Sequence, residues 1–338
     1  MKAESFEVQY GSDKYNIYSF LNNHPGGVNY IAPYKERDVG KRMEDTKHSR
    51  AAYYLFEEYK KDGRRRRRQN GKSPEDLEKL VDWNKPMLVQ VGSLGTKYKE
   101  WVISPVDRTL TLFGNPVLES LTITPWYVVP IVWIPIIIYL VKLGTKRYVD
   151  ITNGKLFLIR DIIVMHVSFI LDSSPSISVL TYISSGILIW TFLEYSLHRW
   201  VFHMEPSGRS RLMIYIHFAI HGLHHKVPFD TRRLVFPPVP AAIIALTLYK
   251  FFSIFLPESC IILVVAGALI GYVTYDMIHF YLHYGAPSED SYFYHLKRYH
   301  NQHHFAHHDS GFGISSILWD KIFGTAIRLR KLGMGIRW

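Results

Sequence analysis

HRWVFH (residues 198–203), HGLHH (221–225), HFYLH (279–283) and HNQHH (300–304) are four histidine groups within one stretch of the chain. Spacings of three and four residues put side chains on one helical face, about 5–6 Å apart. HxxHH and HxxxH therefore let one turn of helix offer two or three imidazoles to the same ion. Ten imidazoles exceed the four ligands zinc usually takes, but they suffice for two ions with four or five each. The candidate ligands are His198, His203, His221, His224, His225, His279, His283, His300, His303 and His304. A single histidine in such a chain reads as a satisfied core or interfacial residue, and His166, outside all four groups, is read that way. His295, His307 and His308 flank the fourth group as candidate spare ligands.

Apolar runs frame these groups. Trp126–Val141 with its flanks is long enough to cross a ~30 Å hydrocarbon core, which takes about 20 residues, and Pro130 and Pro135 are placed to kink it. Ile177–Leu197 runs straight into His198, Pro240–Leu256 is shorter, and Ser259–Ile278 runs straight into His279. Leu156–Leu171 carries Arg160 and Asp161, a costly pair at mid-span, and reads as interfacial or re-entrant. Four spans put both termini and all four histidine groups on one side. The loop 198–236 and the tail after 284 are richer in Lys and Arg than the loop 144–176, so that side is cytosolic.

The totals agree. The 338 residues are 48% hydrophobic, enough for one membrane domain and a small soluble one, and the charge of +11 crowds beside apolar runs. That suits an anionic membrane face and not nucleic acid. Cys260 is the single cysteine and excludes an intrachain disulfide. The N-terminus is too polar for the apolar core of a signal peptide.

Residues 1–62 read as a small soluble unit: a strand-like FEVQY, a short helical IYSFLNN, HPGG at 24–27, and His48 24 residues after His24. This pattern resembles cytochrome b5, although the chain opens after the strand and helix that usually begin that fold. The resemblance implies haem b held by His24 and His48. With both axial positions closed, the iron carries electrons and has no site for a substrate. Residues 63–80, opening on Arg64–Arg68, read as a polybasic linker, solvated or drawn to anionic headgroups. Residues 81–122, punctuated by proline and poorly periodic, read as an ordered connector on the membrane face.

Soluble di-iron bundles use Glu and ExxH pairs, and none occurs in the four groups. Imidazole suits iron, zinc or copper. A haem donor on the same chain favours iron, since zinc has no redox chemistry; zinc can fill the same ligands. The expected chemistry is hydroxylation of an unactivated C–H bond with O2 and electrons delivered through the haem. The substrate is a membrane-resident lipid reacting close to its headgroup.

The four motifs, with the haem-type domain in front and the tail GFGISSILWDKIFGT, resemble the fatty acid hydroxylase and sterol desaturase superfamily, within it the branch acting on acyl C2. The resemblance implies an endoplasmic-reticulum monooxygenase of sphingolipid synthesis, with the ten histidines as dimetal ligands and no separate acid or base. Its partners would be a fatty acyl or ceramide substrate, O2, an NADPH-dependent reductase and membrane lipids. The expected fold is mainly α, with a four-transmembrane-helix domain, a cytosolic histidine-rich dimetal cap and a small α+β haem domain in front. The domains are 1–62, linker 63–80 and 81–338. Two rivals stand beside this: a sterol or sphingoid-base enzyme of the same superfamily, and a non-catalytic membrane protein that binds metal or haem. Arg199, Lys226, Arg232, Arg233, Lys297 and Arg298 are read as interfacial anchors or headgroup contacts.

Overall fold

The computed structural model describes residues 5–61, 77–153, 174–254 and 256–329. The expected Arg64–Arg68 linker, the Leu156–Leu171 run and His166 lie outside them. The chain divides into two compact units that do not follow chain order: Met1–Glu119 with His198–Asp230 and Phe280–Trp338, and Ser120–Leu197 with Thr231–His279.

The second unit is built of apolar helices. Val128–Thr152, Pro175–Phe202 and Glu258–Tyr284 are each long and apolar enough to cross a membrane. Pro238–Phe252 is apolar but has 15 residues, a rise of about 22 Å, less than the ~30 Å core. Ser174 starts the second helix by accepting from the Ile177 amide, with Pro175 at its first position, where a missing N–H costs nothing. Glycines let two helices touch. A Cβ on Gly186 would lie 2.0 Å from the Val264 carbonyl oxygen, and one on Gly267 2.0 Å from that of Ile183. This close backbone approach is the small-residue packing of membrane helices. Ile131 (66%), Leu180 (64%) and Ile243 (62%) stay exposed, as suits faces solvated by lipid rather than by water.

The first unit opens on an antiparallel pair, Glu7–Tyr10 with Asp13–Asn16, turning at Gly11 with a positive φ of 62°. Val8, Tyr15 and Ile17 are buried beneath it together with Val39 and Met43. Ser49 caps the helix Arg50–Phe56 by accepting from the Ala52 amide at 3.1 Å.

Residues 81–122 differ from expectation. Met87, Val91, Trp101 and Val106 are fully buried and form the centre of a core shared with Tyr54, Ile214, Phe218 and Val227. Residues 81–112 thus supply core to the first unit instead of forming a surface connector, while Val117, Leu118 and Leu121 stay exposed. The segment's short helices, Met87–Val91 and Tyr98–Val102, are too brief for periodicity to show.

Candidate metal centre

The histidines gather into two groups of five. His198, His203, His221, His225 and His303 each offer a nitrogen within 4.8 Å of the others', and so do His224, His279, His283, His300 and His304. Every member except His203 is buried.

Local structure explains the division. In HGLHH, His221 and His225 are four apart on a helix and their Nε2 atoms lie 3.0 Å apart, while His224 joins the other group. HNQHH does the reverse: His300 and His304 pair at 3.1 Å and His303 crosses over, its Nε2 3.0 Å from that of His203. HFYLH keeps His279 and His283 together one turn apart near the end of Glu258–Tyr284. HRWVFH has a spacing of five, which an α-helix would spread to different faces. There the chain runs as a π-helix, Leu197–Phe202, the His203 amide bonds to the His198 carbonyl at 3.0 Å, and both rings serve one group. Such widened turns recur at functional sites.

The distances fit an ion. Two nitrogens bound at right angles to one metal at about 2.1 Å lie about 3.0 Å apart. The Nε2 separations are 3.1 Å for His198–His221, 3.1 Å for His203–His221, 3.2 Å for His203–His225 and 2.9 Å for His283–His300. His198 donates its Nδ1 hydrogen to the Phe312 carbonyl at 2.5 Å and His303 to that of Ser310 at 2.8 Å. Their Nε2 atoms therefore face their neighbours as bare lone pairs, an arrangement that a cation relieves. Burial, and then the neighbouring imidazoles, holds His203, His221, His225, His303 and His304 well below the ordinary histidine range. They are neutral at pH 7, the form that binds metal.

The support around the first group was not evident in the sequence. Asp320, fully buried, accepts from the amides of Phe312 and Gly313 at 2.9 and 2.8 Å and from the Thr325 hydroxyl at 2.7 Å. It fixes the loop whose carbonyls orient His198 and His303. Gly311 sits in that loop at φ 75°, where a Cβ would also meet Ile327. His217 pairs with the Tyr98 hydroxyl at 2.6 Å, and burial pushes it down to about 4. A Cβ on Gly222 would strike both groups, so Gly222 lets the HGLHH turn pack against this pair. The signal in the sequence was only GFG followed by an isolated Asp, and one more histidine ahead of a group.

The remaining candidates fall outside the two groups. His308 lies beside the first, 5.9 Å from the His225 ring, while His295 stacks on Tyr299 and His307 is exposed. Lys226 is no headgroup contact. It is fully buried, paired with Glu78 at 2.7 Å and bonded to the carbonyls of Trp101 and Ser104 at 3.1 and 2.6 Å. Lys297 is also buried, at 2% exposure. Arg298 lies over the Tyr294 ring at 5.8 Å.

His24 and His48 face each other with ring centroids 6.3 Å apart and planes 32° from parallel. Two imidazoles on one ion at about 2 Å place their ring centres roughly 6 Å apart. Each has its Nδ1 beside a backbone carbonyl, Gly27 at 3.2 Å and Met43 at 3.1 Å, which leaves Nε2 for a metal. HPGG has a local cause: a Cβ on Gly26 would stand 3.0 Å from the His24 ring, and Gly27 takes φ 86°. Burial, then the nearby His48, pushes His24 down to about 4, and burial lowers His48 too. The pair fits a bis-histidine haem.

The fatty acid hydroxylase family profile matches residues 183–325. The chain is 39% identical to a fatty acid 2-hydroxylase of Rattus norvegicus, over 95% of this chain and 91% of that one. It is 38% identical to a dihydroceramide fatty acyl 2-hydroxylase of Arabidopsis thaliana, over 72% and 92%. A solved structure of full-length scs7p, with only its hydroxylase domain visible, superposes at TM-score 0.61 with 31% identity, covering 75% of this chain and 89% of that one.

Proposed function

The chain belongs to the fatty acid hydroxylase family, and from that premise we propose that it hydroxylates C2 of fatty acyl chains used in sphingolipid synthesis. The observation that carries the reading is the pair of five-histidine groups on a chain with long apolar helices. Overall the reaction inserts one oxygen atom of O2 into a C–H bond and reduces the other to water with two electrons and two protons.

The ten histidines would hold two iron ions, five to each, and zinc would fill the same ligands without supporting turnover. Bound there, iron supplies the capacity to activate O2 and to break an unactivated C–H bond. The protein's own groups do the rest. Neutral imidazoles add no compensating charge, so the ions stay strongly cationic. Burial keeps water from the centre. Asp320 holds the Phe312 and Ser310 carbonyls that fix two of the rings. His198 lies in the π-turn that ends one span, and His279 and His283 lie in the last turns of another, which favours carbons near a lipid headgroup over the far end of a tail. No acid–base side chain is assigned.

His24 and His48 would hold haem b, and the electron source would be an NADPH-dependent reductase. The protein resides in the endoplasmic-reticulum membrane, with Pro238–Phe252 as a fourth, short span and with the histidine face and termini in the cytosol. The test is lipidomic. Cells lacking the protein should lose 2-hydroxy acyl sphingolipids and regain them with the wild type but not with His224→Ala/His303→Ala. Loss of a hydroxylated sterol or sphingoid base, with 2-hydroxy acyl species intact, would overturn the assignment in favour of the rival enzyme.

A further inference from the structure

The wall of the first unit that carries His24 is packed against residues 285–297, and the contacts there are specific. The Tyr294 hydroxyl donates to the Gly26 carbonyl at 3.1 Å, and the Asn29 amide reaches the Glu289 carboxylate at 3.5 Å. A cavity of about 260 Å³ has His24 and Gly27 on one side and Gly285, Glu289, Tyr294 and Lys297 on the other. Further contacts hold residues 5–61 in this position. Arg108 donates twice to Glu58, at 2.8 and 3.0 Å, Tyr59 donates to Asp107 at 2.8 Å, and Phe20 meets Phe229 edge-on at 5.6 Å. The haem-type domain is therefore built into the unit that carries most of the metal-site histidines.

Lys297 is the unusual group in this wall. Its ammonium donates to the carbonyls of Gly285 at 2.8 Å and His283 at 3.2 Å, and it has no carboxylate partner among the described residues. A buried cation without a counter-ion is costly, so a site that keeps one commonly uses its charge. Two features link it to both centres. It bonds the backbone of His283, a member of the second group, and it lines the cavity with His24. It also lies on one stripe of the helix Tyr292–Phe305, where Tyr294, Lys297, His300 and His304 recur at spacings of three and four. That stripe runs from the HPGG wall to the second group. Among the described residues, the first group's member on this helix, His303, is off the stripe and bonds to Ser310.

We propose that Tyr294 and Lys297 form the contact through which electrons pass from the haem held by His24 and His48 to the ion held by His224, His279, His283, His300 and His304. The inference rests on the proposed hydroxylase reading. In each transfer one electron leaves ferrous haem, which becomes ferric, and reduces one ferric ion of the second group to ferrous. No bond forms and no proton moves. Tyr294 and Lys297 are positioning residues. The tyrosine hydroxyl sets the distance to the HPGG loop, and the ammonium stabilises the reduced, more electron-rich haem while fixing the His283 backbone.

The test uses the full chain loaded with haem and two irons, pre-reduced through its reductase and mixed with O2 and an acyl substrate. Reoxidation of the haem is followed by its absorption, and the haem midpoint potential is measured separately. Lys297→Met should lower the potential, which by itself favours donation, yet slow reoxidation about 10-fold or more because the His283 backbone loses its anchor, the size seen when groups around a metal centre are removed, and Lys297→Arg should restore most of both. Tyr294→Phe keeps the ring, loses the hydroxyl and should slow reoxidation without lowering the potential comparably. Unchanged potential and rate in Lys297→Met, at full haem and metal content, overturn the proposal. If Lys297→Met fails to load metal, Tyr294→Phe decides, and an unchanged rate there overturns it. A chemical reductant that bypasses the haem separates the two readings. Product from every variant under that reductant, with normal haem reoxidation, refutes the route alone. Absence of product from wild type under either donor refutes the hydroxylase reading and the route with it.

Discussion

Each HxxHH stretch serves both metal groups, because positions i and i+4 return to one side of the helix while i+3 is offset to the next. That allocation follows from helix geometry, yet only folding shows which stretch meets which. The candidate residues themselves were legible from type and spacing. Asp320, Tyr98 and His217 were not, since a lone Asp or Tyr reveals nothing of its partners until the backbone returns to it. Asp320→Asn should weaken metal binding at the first group about 10–100-fold while the second keeps its ion, measured as a fall from two bound metals towards one. Acid provides another residue-scale test. His24 and His217 have folded pKa values near 4, against an ordinary 6.5, so the unfolded chain binds more protons in that interval. Stability of the metal-free protein is then full above pH 6.5 and falls as the pH drops towards 4, by on the order of 3 kcal/mol for each group. Denaturant unfolding at pH 7.5 and pH 5 measures the loss.

Among the elements, the long apolar helices were the most legible, since their length and composition are demanded by the bilayer. Their ends were less so. The first span is drawn C-terminally to Thr152, and the second passes into a π-turn that a five-residue histidine spacing hints at only in retrospect. Residues 81–122 misled because short helices packed all round carry no periodicity, and burial comes from distant partners such as Ile214 and Phe218. Gly186 and Gly267 make a sharp prediction. Leucine at either position places a Cβ 2.0 Å from a backbone oxygen, beyond what side-chain rotation relieves. Gly186→Leu should cost several kcal/mol, past the usual 1–3 kcal/mol of overpacking, and should appear as loss of the monodisperse, heat-stable species in detergent. Gly324→Ala, whose Cβ meets nothing within 4 Å, should cost about 1 kcal/mol through its positive φ alone.

Over the whole molecule, chain order and compact units part company. Residues 5–61, 77–119, 198–230 and 280–329 share one unit although they lie far apart in the chain. Lys226 and Glu78, 148 residues apart, tie this unit together with the Tyr54 hydroxyl bonded to the same carboxylate. Removing one partner of such a buried pair strands the other, so Lys226→Met should cost about 3–5 kcal/mol, and Lys226→Met with Glu78→Gln should recover part of it.

The most direct measurement is the position and origin of the new oxygen in a reconstituted reaction. Purified protein carrying haem and two irons is given NADPH, a reductase, an acyl substrate and isotopically labelled O2, and the product is sequenced by mass spectrometry. The account predicts one labelled oxygen at C2, lost in His224→Ala/His303→Ala. Fully loaded protein that makes no hydroxylated acyl product, or that places the hydroxyl elsewhere, would contradict it.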